Sequence, residues 1–146
     1  GHVARRSDGR RFIVLNTHMD HVGEQARLLG ARQIARWLSK NKTASESVIV
    51  TGDFNTEPGT LPVRELTHSV LKLRDSREAT RSTAVGPEGT FNNFAAIPQE
   101  SRRIDYILVD ATVTVEQYAV LAWHGEGGRP ASDHFPVVAD LRACKR

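Results

Sequence analysis

The stretch Ser47-Val48-Ile49-Val50-Thr51-Gly52-Asp53-Phe54-Asn55 decides the fold. Val48, Ile49, Val50 and Thr51 are all β-branched, and a short run of that kind reads as a buried strand. It runs straight into a polar cluster, Gly52-Asp53-Phe54-Asn55, and then into the Pro58-Gly59 turn. Just upstream, Ala31, Ile34, Ala35 and Leu38 follow i, i+3, i+4, i+7 spacing, with Arg27, Arg32 and Arg36 off the stripe. That pattern predicts an amphipathic helix, and Glu24 suits its N-terminus. Further back, Val3-Ala4-Arg5-Arg6 and Arg11-Phe12-Ile13-Val14-Leu15 flank a Ser7-Asp8-Gly9 turn and read as a hairpin, with 16–23 as a polar loop. Downstream, the reading is a helical turn or two over 61–68 and a weak strand over 70–73. Residues 76–103 read as mostly irregular, with a Gly86-Pro87-Glu88-Gly89 turn and a short extended piece at Thr90-Phe91-Asn92. Strands follow over 104–109, 113–121 and 136–141, with 125–130 a loop delivering Ser132-Asp133-His134 to the last of them. The chain is therefore expected to be α/β, with a mixed or antiparallel sheet and a flanking helix.

The 146 residues are one domain's worth of sequence. Hydrophobic residues at 39% and charged residues at 25% exclude a collagen-like or disordered chain. No apolar run approaches the ~20 residues of a membrane-spanning helix, and no apolar h-region follows a basic start. Nothing else in the sequence assigns a compartment. The net charge of +3 suits a polyanionic substrate without singling one out. Cys144 is the one cysteine, so no intrachain disulfide forms, and beside Lys145 and Arg146 it reads as incidental.

Four polar clusters follow or flank apolar strands: Asn16-Thr17-His18, Gly52-Asp53-Phe54-Asn55, Arg103-Ile104-Asp105-Tyr106 and Ser132-Asp133-His134. Any one alone reads best as a turn or hydrogen-bonding element. Together they supply carboxylates, an amide and imidazoles at strand ends, where catalytic groups are usually carried. Carboxylates and an amide oxygen suit a hard cation such as Mg2+, which bridges to substrate phosphate. A histidine paired with a carboxylate can take a proton from water or steady phosphate oxygens. The chemistry these residue types fit is phosphate-ester hydrolysis, which needs mainly positioning and charge stabilisation.

The order of these four clusters resembles the endonuclease/exonuclease/phosphatase superfamily, whose domain is DNase I-like. Asn16-Thr17-His18-Met19-Asp20-His21 and Gly89-Thr90-Phe91-Asn92 look most like its deadenylase-like and related bacterial branches. The resemblance implies half of a four-layered α/β/β/α sandwich and a hydrolase using Mg2+, with Mn2+ as an alternative. It implies catalytic roles for His18, Asp53, Asn55, Asp105 and His134. His18 and Asn55 would also contact the substrate phosphate, Asp53 would orient or deprotonate the attacking water, and Asp105 would hydrogen-bond His134. Asp133 and Asp53 would sit at the metal. The family's N-terminal half, with its glutamate metal ligand, has no counterpart here. Residues 1–146 are therefore expected to be the C-terminal portion of a single domain.

Three rival readings are weaker. A metallo-β-lactamase-like zinc loop overlaps Asn16 to His21, but Asn16 replaces a histidine and an amide is a poor zinc ligand. Ser132, Asp133 and His134 are adjacent, and neighbours in an extended segment point to opposite faces, which a triad forbids. An inactive or binding-only fragment remains open. Among substrate clues, Arg103 flanks Asp105 and is a candidate phosphate contact, and Phe91 or Phe94 a stacking surface. Arg5, Arg6, Arg10 and Arg11 form a basic cluster that usually means a solvated surface. Nucleic acid, a sugar phosphate or a lipid headgroup all fit. Val48, Ile49 and Val50, with Ile104, Ile107 and Val109, read as strands buried on both faces. One apolar face is therefore expected to need a partner, either a homodimer or a separate N-terminal half.

Overall fold

The computed structural model describes residues 1–95, 102–125 and 127–143. The expectation for Cys144 lies outside them, as does part of the 125–130 loop.

The β-branched run forms β3 (Glu46–Asp53), at the centre of a five-stranded sheet ordered β1-β2-β3-β5-β4. β1 (His2–Ala4) and β2 (Arg11–His18) make the hairpin, and β2 pairs with β3 in parallel. The crossover between them is α1 (Glu24–Asn41), as a parallel connection requires. β5 (Asp105–Val109) runs antiparallel to β3, and β4 (Arg74–Asp75) closes the far edge. The sheet is thus mixed. A second, two-stranded antiparallel sheet pairs β6 (Val113–Val120) with β7 (Val137–Ala143).

Alternation on β3 and β5 sorts the two faces. Val48, Val50, Tyr106 and Leu108 point to the side covered by α1 and by α2 (Leu61–Thr67), and pack with Ala31, Leu38, Val63 and Leu66. Ile49 and Ile107 point the other way, where Val109, Val113, Val115, Ala139 and Leu141 gather. The apolar second face of β3 and β5 is therefore covered by β6 and β7 of this same chain, so the expectation of a bare face does not hold there.

Two local expectations are corrected, and the mostly irregular 76–103 stretch gains one short element. Asn16, Thr17 and His18 continue β2 because β3 pairs with them as far as His18 opposite Asp53. The weak strand at 70–73 is a turn, and the strand falls at Arg74–Asp75. The 76–103 stretch holds α3 (Ser76–Ala79), whose N-cap Asp75 accepts the Arg77 N–H.

Gly52 is a position where the fold demands glycine. Its φ is +140°, and a Cβ there would stand 1.8 Å from the Thr17 carbonyl oxygen of the neighbouring strand.

Candidate active site

Register builds the site. His18, Asp53 and Asp105 are opposite one another on β2, β3 and β5, so three functional side chains line up across adjacent strands. His134 joins from the segment before β7, bridged to Phe91. Its Nδ1 lies 2.7 Å from Asp105 Oδ2. With the carboxylate accepting, Nδ1 is the donor of this bond and Nε2 is the ring atom turned towards Asp53. That Nε2 stands 3.9 Å from Asp53 Oδ2, and His18 Nε2 stands 3.3 Å from the same oxygen.

Asp53 is held from below. Its Oδ1 accepts the Asn55 backbone N–H at 2.7 Å, and its Oδ2 the Asn55 Nδ2 at 3.2 Å. Asn55 Nδ2 also donates to the Met19 carbonyl at 2.9 Å. Both partners are acceptors, so the amide orientation is fixed and Oδ1 is left without a protein partner among the described residues. Asn55 has φ +50°, a conformation asparagine tolerates better than most residues. His18 is largely exposed, at 74%, whereas Asp53 and His134 are mostly covered, at 15% and 24%.

Asp53, Asp105 and His134 can each offer a ligand atom, all within 4.8 Å of one another. Two carboxylates and an imidazole fit a divalent cation that fills its remaining positions with water and substrate oxygens. Asp133 does not join this group. Its carbonyl accepts the N–H groups of Asn92 and Asn93 at 2.7 and 3.1 Å, and its Oδ1 lies 3.4 Å from Ser132 Oγ.

Phe91 lies against His134, ring centroids 5.2 Å apart and edge-on, so it borders the site. Phe94 is exposed. Arg103 goes elsewhere. It is buried, ion-paired to Asp75 at 2.6 Å, and stacked 4.9 Å from the Tyr106 ring centroid. A guanidinium so enclosed is a core strut and not a phosphate contact. Asp75 raises its pKa further, against the lowering effect of burial. The arginines of the first hairpin are largely occupied: Arg5 and Arg10 pair with Asp8, and Arg11 with Glu46. The zinc-loop alternative is not assembled. Asp20 caps the Val22 and Gly23 N–H groups, and Asn16 Oδ1 accepts the Thr51 hydroxyl.

Sequence reasoning missed Thr90, which is fully buried and whose Oγ1 accepts the N–H groups of Ile104 and Asp105. The Gly89-Thr90-Phe91-Asn92 quartet pointed to its neighbourhood, but nothing in a sequence ties a hydroxyl to amides 14 and 15 residues away.

The strand-end carboxylates and histidines of this sheet converge on one point of the surface. The family model for the Endonuclease/Exonuclease/phosphatase family matches residues 3–134, and the chain belongs to that family. A mannosyl-6-phosphatase from Bacteroides thetaiotaomicron superposes with TM-score 0.84 at 31% identity, over 97% of this chain and 55% of its own. A functionally unknown conserved protein from Enterococcus faecalis gives 0.83 at 34% identity, over 94% and 52%. The human Nocturnin catalytic domain with bound sulfate gives 0.74 at 21% identity, over 97% and 51%, a likeness of fold. The chain spans about half the length of the structures it matches. The fold is thus mixed α/β, matching half of a DNase I-like domain. No curated protein matches the chain. Among the described residues, no helix is long and apolar enough to cross a membrane.

Proposed function

We propose that this chain is the C-terminal portion of a metal-dependent phosphoesterase and supplies its Asp53–Asp105–His134 centre. The observation that carries the reading is the convergence of His18 and His134 on Asp53, with Asp105 holding His134. Asp53 orients water and takes its proton. Asn55 steadies Asp53 through its amide N–H groups. His134 presents Nε2 and His18 its imidazole to the phosphoryl oxygens, where they stabilise developing charge. Asp53, with Asp105, would hold the cation, Mg2+ or Mn2+, which when bound neutralises charge on the phosphoryl group. The remainder of the domain, whether covalently preceding this chain or supplied by a partner copy, completes the site.

A sugar phosphate is the first substrate to test. The relative named as a mannosyl-6-phosphatase is 31% identical over nearly the whole chain. A zebrafish TDP2 with single-stranded DNA product shares only 20%, over 93% of this chain and 58% of its own, at TM-score 0.72.

The test uses the complete protein with mannose 6-phosphate and a single-stranded oligonucleotide as competing substrates. Turnover should vanish in EDTA and return with Mg2+. Asp53→Ala and His134→Ala should each lower kcat at least ~100-fold, the loss expected for a positioned acid–base group. Asp105→Ala should cost less. EDTA-resistant turnover, or wild-type turnover by His134→Ala, would overturn the reading.

A further inference from the structure

We propose that Thr90 is the positioning residue of the site, setting Asp105 against His134 through its hydroxyl. The inference rests on the functional reading above. β4 reaches only Leu108 and Val109 of β5, so on that side the start of β5 has no strand neighbour among the described residues. The Thr90 side chain takes the place of one. Its Oγ1 accepts Ile104 N–H at 3.0 Å and Asp105 N–H at 3.1 Å. Its backbone N–H donates to the Arg102 carbonyl at 2.9 Å, and its own carbonyl accepts the Phe135 N–H at 2.7 Å. The residue is 0% exposed.

One buried residue thus bonds directly to Asp105 and to the residue after His134. A third route runs through Ile104, whose carbonyl accepts the Phe54 N–H at 2.8 Å, next to Asp53. The sequence brings Asp53, Asp105 and His134 from three separate segments, and Thr90 bonds to the backbone at or beside two of them and, through Ile104, stands one bond from the third. The backbone bonds would survive any substitution that keeps the fold. The hydroxyl bonds are specific to the side chain, and they fall on the amide of Asp105 itself. The carboxylate of Asp105 reaches His134 Nδ1 at 2.7 Å, a contact that a small shift of the β5 start would open. Positioning errors near 1 Å cost rate far more than they cost substrate binding.

Thr90→Val keeps the volume and the β-branch but removes the acceptor, and Thr90→Ser keeps the acceptor. In the complete protein, Thr90→Val should lower kcat ~10–100-fold with KM within about twofold. Thr90→Ser should stay within about threefold of wild type. In an Asp105→Ala background, Thr90→Val should cost nothing more, since it acts through that residue. A second readout does not depend on turnover. With 15N-labelled histidine, the downfield Nδ1–H proton of His134 should be present in wild type and Thr90→Ser, and shifted or lost in Thr90→Val. If Thr90→Val does not fold, Thr90→Cys, whose sulfur is a weak acceptor, should give the same losses at smaller size. Wild-type kcat in folded Thr90→Val or Thr90→Cys overturns the proposal. So does an equal loss with and without Asp105, or an unmoved His134 resonance. If His134→Ala keeps full turnover, the catalytic reading fails, and the resonance alone still decides whether Thr90 sets the Asp105–His134 bond.

Discussion

Two buried tyrosines, one in each sheet, live in different surroundings. Tyr106, on β5, donates from its hydroxyl to the carbonyls of Thr56 and Arg103 at 2.9 and 3.1 Å, and stacks against Phe54. Burial pushes its phenol pKa well above the ordinary value. Tyr118, on β6, is just as buried, yet among the described residues its hydroxyl has no hydrogen bond of good geometry and only Arg77 beside it. The Arg77 guanidinium lies 5.8 Å from the Tyr118 ring centroid, and its own Nη1 is also buried and unpaired. Ser76 Oγ on α3, Asn92 Nδ2 beside Asp133, His124 Nδ1 against the Phe135 ring and Arg27 Nε on α1 share that condition among the described residues. Buried donors without acceptors are costly. Tyr106 thus closes its hydrogen bonds within this chain, whereas Tyr118 leaves its hydroxyl for water or a further segment to satisfy.

The comparison breaks most sharply at two glycines. A Cβ on Gly52 would stand 1.8 Å from the Thr17 carbonyl, and one on Gly86 would stand 1.9 Å from the Val120 carbonyl, with φ of +140° and +88°. Gly52 lies inside β3, where β2 and β3 have no room to part, and one residue before His18 and Asp53 meet in register. Gly52→Ala should cost more than about 4 kcal/mol, in the exceptional range for a single substitution. Gly86 is in an exposed turn that can give way, so Gly86→Ala should cost about 1–3 kcal/mol. Urea denaturation of the two variants checks both, and equal losses would mean that the small sheet is as tightly built as the large one.

The tyrosines give a finer test. Tyr106→Phe leaves two carbonyls without their donor and should destabilise by about 1–3 kcal/mol. Tyr118→Phe removes a hydroxyl that, among the described residues, has only the Arg77 guanidinium beside it, and should change stability by less than about 1 kcal/mol. A matching loss at Tyr118, read from thermal melts, would show that its hydroxyl has found a partner in solution.

Legibility follows the same division. The β-branched run of β3, the apolar stripe of α1 and the apolar stretches of β5 to β7 are visible because burial periodicity is written in local sequence. The end of β2 is not, since Asn16, Thr17 and His18 are polar and become strand only by pairing with β3. α3 is hidden because one turn of helix depends on its Asp75 cap rather than on a stripe. At the site, Asp53, Asn55, Asp105, His18 and His134 stand together as their places at strand ends led one to expect. Arg103 could not be placed from its neighbours: whether an arginine beside Asp105 meets solvent or Asp75 depends on a residue 28 positions away. The same limit concealed Thr90.

The smallest effect is confined to acid and to the end of β3 remote from the site. Glu46 is buried, and its Oε1 lies 2.8 Å from His2 Nδ1. Its Oε2 accepts the Thr43 N–H and hydroxyl at 3.0 and 2.9 Å. The His2 bond first, then those from Thr43, lower the carboxyl pKa from 4.5 to about 2. A group whose folded pKa is depressed binds its proton more readily in the unfolded chain. Its contribution is therefore fully present above pH 4.5 and is lost as pH falls towards 2. Glu46→Gln should lower stability at pH 7, and should flatten the pH dependence between 4.5 and 2 while leaving the slope above pH 5 unchanged. Melting temperatures of both proteins across that range check the sign. The effect belongs to the helix-backed sheet, because Glu46 anchors β3 beside β1 and β2. A Glu46→Gln variant with an unaltered acid limb would place the acid-sensitive carboxylate elsewhere, and Asp8, held to about 2 chiefly by its bond from Arg5, would be the next to replace.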